Sequence, residues 1–261
     1  MTYALDRICV IRDGQQVLHD ITLTLATGAL IGVIGPNGAG KSTLLGALAA
    51  DLPVTQGMLT LNGSSLEGLG PKRLARSRAV MSQQAAAIFN LSVKQVLALG
   101  LFTFDDLPQV QFQALLQQVA QRTGIAPWLD RPMTSLSIGQ QQRVHFARAL
   151  LQTKATTQKC AQAWLLLDEP TANQDPAHQQ SIMQACRELV ARGTVGVVMA
   201  IHDLSLAAQW CDEVIVLQQG ALLTHGSAQA VLTPDTLKQT FGDQLGIHVQ
   251  QAPRGVIVYT P

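Results

Sequence analysis

The sequence predicts an α/β protein whose main sheet is parallel and covered by helices on both faces. Three apolar runs of strand length support this prediction, and they lie at 30–34, 163–167 and 195–201. A segment of helical periodicity precedes the second run, and another precedes the third. A continuous apolar strand, without alternation, is typical of a sheet buried on both faces.

The first third of the chain adds strands of another kind. Residues 16–25 alternate apolar and polar side chains, and residues 58–61 form a second strand pattern. Together with the opening residues they predict a small antiparallel layer around the strand at 30–34. A short helix is expected at 71–76, followed by an edge strand at 79–81.

From residue 91 to residue 151 the spacing of apolar residues becomes helical, which indicates an inserted helical block. Helices are predicted around Val93 to Gly100, over 110–121 and over 139–151, the last with Ser137 as its N-cap. The polar stretch at 153–162 is read as an extension before the next strand.

The last third returns to alternating strands and helices. Helices are predicted at 176–192 and 204–210. Residues 213–224 predict a hairpin that turns at Gln219-Gly220. The tail from Ser227 predicts one or two short helices and a final apolar alternation at Gly255–Tyr259.

Composition limits the possible functions. The chain has 261 residues, a net charge of +1, 47% hydrophobic and 13% charged residues. This balance predicts no strong attraction for nucleic acid or anionic lipid. No apolar run reaches the ~18 residues of a membrane span, and no signal peptide is recognised at the start, so we expect a cytoplasmic protein. The four cysteines lack C-x-x-C spacing, which favours reduced thiols over a disulfide framework or a metal site.

The most specific motif begins at Gly35 and fits the phosphate-binding loop pattern G-x-x-x-x-G-K-[ST], between a strand and a helix-forming run. Its glycines let backbone N–H groups point at phosphate oxygens, and the helix N-terminus favours the same anion. Lys41 is predicted to reach the β- and γ-phosphates, and Ser42 to bind Mg²⁺. The predicted nucleotide-binding residues of this loop are Gly35, Pro36, Asn37, Gly38, Ala39, Gly40, Lys41, Ser42 and Thr43.

A pair of carboxylates follows the apolar strand at 163–167. Parallel strands end at one edge of the sheet, so Asp168 and Glu169 are expected beside the phosphate loop. Asp168 is predicted to hold Mg²⁺, and Glu169 to polarise the attacking water.

The run Leu136-Ser137-Ile138-Gly139-Gln140 identifies a family, because with the preceding motifs it resembles the ATP-binding cassette (ABC) ATPases. Their signature is Leu-Ser-Gly-Gly-Gln at a helix N-terminus, so Ile138 stands in place of its first glycine. The resemblance implies a P-loop NTPase fold, with a RecA-like core, an antiparallel β subdomain and an inserted α-helical subdomain. It also implies that Ser137, Ile138, Gly139 and Gln140 face ATP held by a second copy of the chain, a contact that Ile138 is expected to perturb.

Further positions match the family. Gln83, with Gln84 as the alternative register, matches the Q-loop glutamine that senses Mg²⁺ and the γ-phosphate. Asp175 belongs to the D-loop, where Gln174 replaces the usual leucine, and His202 matches the switch histidine. The aromatic residue that stacks on adenine in the family is missing, and its slot falls near Val10, which fits a core strand residue equally well.

The resemblance implies an ATPase that uses ATP and Mg²⁺, acts as a homodimer and drives a separate permease dimer. We expect it on the cytoplasmic face of the bacterial inner membrane, coupled indirectly to a periplasmic substrate-binding protein and not to nucleic acid. The apolar stretch at 85–91 is expected either to line the permease groove or to form a buried loop. The expected organisation is one domain, with 1–84 and 160–225 as nucleotide-binding core, 85–159 as helical subdomain and 226–261 as C-terminal extension.

The cargo is assigned by resemblance alone. The segment from Leu74 to Met81, His178-Gln179 and the polar stretch at 153–162 are similar to importer ATPases for haem, with ferric siderophores and vitamin B12 as alternatives. His145, His178 and His225 are expected at the surface or an interface, not as haem ligands. A non-transport ABC ATPase acting on DNA or ribosomes is disfavoured by the near-neutral charge and single cassette.

Overall fold

A computed structural model describes residues 1–82, 91–242, 248–252 and 255–259. The described strands are β1 (Thr2–Arg12), β2 (Gln15–Ala26), β3 (Leu30–Ile34), β4 (Gln56–Leu61), β5 (Ser64–Ser65), β6 (Arg78–Met81), β7 (Ala163–Asp168), β8 (Val195–Ala200), β9 (Glu213–Gln218), β10 (Ala221–Ser227), β11 (His248–Ala252) and β12 (Gly255–Tyr259). The described α-helices are α1 (Lys41–Leu48), α2 (Pro71–Ala75), α3 (Val93–Leu99), α4 (Gln109–Arg122), α5 (Ile138–Lys159), α6 (Pro176–Val190), α7 (Leu204–Trp210), α8 (Ala228–Val231) and α9 (Pro234–Phe241).

The predicted parallel sheet is confirmed. Its strand order is β10-β9-β3-β8-β7-β6, and every neighbouring pair from β9 to β6 is parallel. All residues of β3, β7 and β8 are buried, as the continuous apolar runs predicted. The hairpin of β9 and β10 turns at Gln219 and Gly220, which both have positive φ and so form the turn that favours tight antiparallel pairing.

The predicted antiparallel layer is also confirmed, as a four-stranded sheet of order β2-β1-β4-β5. Its buried face shares a core with α1 and with Trp164 of β7. The Tyr3 hydroxyl donates a hydrogen bond of 2.9 Å to the Leu48 carbonyl, and its ring lies 5.1 Å from that of Trp164. These contacts fix the antiparallel layer against the helix that follows the phosphate loop.

The helical block consists of α3, α4 and α5, but α5 is longer than predicted. It continues through Thr153 and Thr156, which are buried, and ends at Lys159. The stretch that was expected to be a polar extension is therefore mostly helix. The division of the chain into subdomains stays a prediction.

Two further findings concern the burial of His145 and the character of the helices. His145 is buried on α5, so the expectation that it lies at a surface or interface was wrong for this residue. Across the described ranges, no helix combines the length and apolar character that a bilayer crossing needs.

Candidate nucleotide-binding site

The phosphate loop joins the end of β3 to the first residue of α1 and opens into a cavity of about 720 Å³. Gly40, directly before α1, has φ +98°, a conformation that side chains other than glycine rarely adopt. At Gly35 a Cβ atom would lie 2.2 Å from the Leu217 carbonyl oxygen, so only glycine fits where the loop leaves β3. The glycines of the motif are therefore required by this backbone path.

Lys41 is held inside the loop. Its Nζ donates hydrogen bonds to the carbonyl oxygens of Gly35, at 2.7 Å, and Pro36, at 2.9 Å. Burial lowers the pKa of the Lys41 ammonium, while the nearby Glu169 and Asp168 oppose that change. An arriving phosphate would add negative charge next to this buried cation.

The predicted magnesium ligands come together. The Ser42 hydroxyl, in the first turn of α1, donates a hydrogen bond of 3.0 Å to Oδ1 of Asp168, the last residue of β7. Burial raises the pKa of Asp168, with a further upward effect of the adjacent Glu169 charge. A cation bound here would offset that cost. A hydroxyl and a carboxylate fit Mg²⁺, which completes its shell with water and phosphate oxygens.

Glu169 and His202 form the second contact of the site. Oε1 of Glu169 lies 2.5 Å from Nε2 of His202, which lies two residues after the end of β8. Glu169 has φ +51°, an uncommon conformation for a residue with a Cβ atom. Asp203 accepts hydrogen bonds from two backbone N–H groups at the start of α7 and fixes the chain after His202.

The signature segment begins α5 without distortion. The Ser137 hydroxyl accepts a hydrogen bond from the Gln140 N–H, and the Ser137 N–H donates one to Oε1 of the Gln140 side chain. Ile138 is the first helical residue, and its side chain is 70% exposed. Ile138 therefore does not disturb the helix start; its effect on a partner's ATP stays a prediction.

The D-loop lies against the signature helix of the same chain. A Cβ atom at Gly139 would lie 2.8 Å from the Asn173 carbonyl oxygen, so this close approach requires glycine. Nε2 of Gln174 donates a hydrogen bond of 2.9 Å to the Gly139 carbonyl. The glutamine that replaces the expected leucine thus connects the two segments, which the sequence alone did not reveal.

Asp175 begins the next helix. Its side chain accepts a hydrogen bond of 3.1 Å from the His178 N–H and lies 2.5 Å from the His178 Nδ1. These contacts to His178 hold the pKa of Asp175 below its ordinary value. Within this chain Asp175 is therefore the N-cap of α6.

The predicted Q-loop positions Gln83 and Gln84 lie outside the described residues. The same is true of residues 85–90 of the apolar stretch. Val10 is fully buried in the core of the antiparallel layer, so its side chain offers no surface for adenine. Burial therefore favours the core interpretation of Val10 and argues against the stacking role.

Two residues that the sequence analysis missed line the cavity instead. Arg12, at the end of β1, and Val17, at the start of β2, form one wall beside the phosphate loop. A guanidinium plane stacks on aromatic rings. Arg12 is thus the residue of this wall best suited to contact a base.

Comparisons with known proteins agree with the geometry. The model of the ABC transporter family matches residues 18–172. The hemin import ATP-binding protein HmuV of Bordetella pertussis is 38% identical, with 93% of this chain and 92% of that protein covered. HmuV of Enterobacter cloacae is 35% identical over 97% of this chain and 95% of its own length. The cobalamin import ATP-binding protein BtuD of Halobacterium salinarum is 36% identical over 95% of this chain and 60% of its own length.

Solved structures give the same fold. An ATP-binding subunit of an ABC transporter superposes with a TM-score of 0.77 at 23% identity, over 93% of this chain and 94% of that one. CbiO1 of Clostridium perfringens, part of the transporter complex CbiONQ, superposes with a TM-score of 0.72 at 26% identity, over 91% of this chain and 92% of that one.

Proposed function

Because the chain belongs to the ABC transporter ATPases, we propose that it is the ATP-hydrolysing subunit of a bacterial importer that takes up haem. The observation that carries the ATPase assignment is the meeting of Ser42, Asp168, Glu169 and His202 around one phosphate loop. The haem assignment rests on likeness to hemin import proteins over nearly the whole chain.

The proposed chemistry uses the described contacts. The phosphate loop and Lys41 bind the triphosphate, while Ser42 and Asp168 hold Mg²⁺ together with Gln83. The metal supplies charge neutralisation at the phosphates. Glu169 orients the attacking water and accepts its proton, and His202, 2.5 Å away, holds Glu169 in position.

The site is proposed to be completed by a second copy of the chain. Ser137, Ile138, Gly139 and Gln140 would then face the γ-phosphate across the interface, with Asp175 of the D-loop beside them. ATP would close the dimer and hydrolysis would release it.

The dimer would act on a permease dimer at the cytoplasmic face of the inner membrane, with a periplasmic binding protein delivering cargo. Gln83 is proposed to report the nucleotide state to that permease. Cobalamin is the second cargo candidate, supported by the likeness to BtuD, and a ferric siderophore is the third.

The substitution Glu169→Gln tests the catalytic assignment. It keeps the size of the side chain and removes the proton acceptor, so we expect ATP binding to persist and turnover to fall by about 100-fold or more. Glu67→Gln, at an exposed position that does not line the nucleotide cavity, is the matched control and should hydrolyse ATP normally. Normal turnover by Glu169→Gln would remove Glu169 from the catalytic role.

The cargo is tested separately. The chain is assembled with its permease in lipid, and ATP hydrolysis is measured with binding protein carrying haem, cobalamin or a ferric siderophore. Stimulation by haem alone supports the proposal. Stimulation by another cargo leaves the ATPase role in place and rejects haem, and stimulation by nucleic acid instead would reject the transport class.

A further inference from the structure

A second cavity, of about 710 Å³, lies outside the nucleotide site, between α4, α5 and α6. Arg122 of α4, Lys154 of α5 and Arg192, just after α6, all line it. Glu188 is the one carboxylate among the described residues that line it. In a chain whose net charge is only +1, three cations around one carboxylate form an unusually positive cleft.

The carboxylate is already paired. Arg122 donates two hydrogen bonds to Glu188, from Nη2 to Oε1 at 2.9 Å and from Nε to Oε2 at 3.2 Å, and a third to the Ser181 hydroxyl. In the described ranges neither Lys154 nor Arg192 makes a hydrogen bond or an ion pair with a carboxylate. Two positive charges of the cleft are therefore left without a counter-charge in contact.

Lys154 is placed at an energetic cost. Its side chain is half-buried, and burial lowers the pKa of its ammonium; Arg192 and Arg122 lower it further, while Glu188 acts in the opposite direction. An anion in the cleft would reduce this repulsion, since opposite charge stabilises a partly desolvated cation.

The walls indicate the kind of anion. Thr157 and Gln158 supply hydroxyl and amide groups, and Leu150 and Leu189 supply apolar surface. A cleft with a volume between about 300 and 1,000 Å³ has the usual size of a small-molecule site. These features fit a compact organic molecule that carries a phosphate group better than an extended acidic peptide.

We propose that the cleft between α4, α5 and α6 binds a small phosphate-bearing organic anion, with Lys154 and Arg192 as its main charge partners. Such a ligand would touch α4 and α5 on one side and α6 with the start of β8 on the other, so binding would join the helical block to the main sheet.

The test measures binding of glucose 6-phosphate and of inorganic phosphate by calorimetry, with ADP and Mg²⁺ saturating the phosphate loop. Glucose serves as the neutral comparison. The double substitution Lys154→Gln with Arg192→Gln should weaken binding by about tenfold or more. Lys94→Gln, at an exposed position on α3, is the matched control and should bind normally.

Glu188→Gln distinguishes charge from structural damage. It removes the competing carboxylate and releases Arg122, so glucose 6-phosphate should bind more tightly by about threefold or more. The proposal is overturned if neither phosphate probe binds below about 10 mM, if glucose binds equally well, or if the double variant binds like the unmodified protein. Circular dichroism of the double variant checks folding. None of these outcomes depends on ATP hydrolysis, so the proposal fails or stands apart from the ATPase assignment.

Discussion

Replacing His145 by leucine is expected to make the protein less sensitive to acid. His145 lies in the middle of α5 and is 7% exposed, and its Nδ1 has no hydrogen-bond partner in the described residues. Burial, with a smaller effect of Arg148, lowers the pKa of His145 from 6.5 to about 4. Between about pH 4 and pH 6.5, His145 is therefore mostly neutral in the folded protein and mostly protonated in the unfolded chain.

The sign and size of the effect follow from this difference. Because the folded pKa lies below the unfolded one, the stability contributed by neutral His145 is fully present above about pH 6.5 and is lost as pH falls towards 4. Each tenfold change in proton affinity corresponds to about 1.4 kcal/mol. Between about pH 7.5 and about pH 5 the loss assigned to His145 is therefore about 2 kcal/mol.

Urea unfolding at these two pH values measures the effect. His145→Leu should lose about 2 kcal/mol less than the unmodified protein on acidification. It should also gain about 1 kcal/mol at neutral pH, because it removes an unpaired buried nitrogen. His19→Gln, which removes an exposed histidine, is the control for the loss of a histidine. The same pH dependence in the leucine variant and the unmodified protein would refute the reasoning.

Two further substitutions test contacts that the structure revealed at the site. Arg12→Ala should weaken ATP binding by about threefold, because guanidinium stacking on a base at an exposed site is worth about 0.5–1 kcal/mol, while Arg12→Tyr should keep the affinity. Equal ATP dissociation constants for all three proteins would contradict a base contact. Gln174→Leu removes the hydrogen bond to the Gly139 carbonyl, worth about 1 kcal/mol, and should change the hydrolysis rate of the dimer by about fivefold. ATP binding to the separate chain should stay unchanged; equal turnover would show that this connection does not position the signature.

Much of the site could be predicted because its residues follow ends of parallel strands. The phosphate loop follows β3, His202 follows β8 and Asp168 ends β7, and these three strands are neighbours in that order. Parallel strands bring their carboxyl ends to one edge, so local sequence patterns were enough to place residues that are 126 positions apart within 3.0 Å. Contacts that depend on loop paths, such as Gln174 with Gly139, carry no such pattern.

The β1 residue that lines the nucleotide cavity could not be predicted by counting residues, because the pairing of β1 with β2 is irregular. Its pairing with β2 shifts register at three places, the last between Val10 and Ile11. The consecutive residues Ile8, Cys9 and Val10 are all buried, whereas Ile11 and Arg12 are both exposed. At the last two shifts the extra residue lies on β2, and β1 does not alternate between inside and outside over residues 8–12. Arg12, two residues beyond the predicted slot, lines the nucleotide cavity together with Val17.

The extension of α5 beyond residue 151 could not be predicted from helix propensity. Threonine is a weak helix former, so the polar, threonine-containing run at 153–162 did not indicate a helix from its sequence alone. In the structure the hydroxyls of Thr153 and Thr156 donate to the carbonyls of Ala149 and Gln152, four residues earlier, at 2.9 and 3.0 Å. These polar groups are satisfied within the helix, so tertiary packing outweighs the propensity. The same two helical turns carry Lys154 and Thr157 into the cleft beside α6, and that cleft therefore exists only because the helix continues.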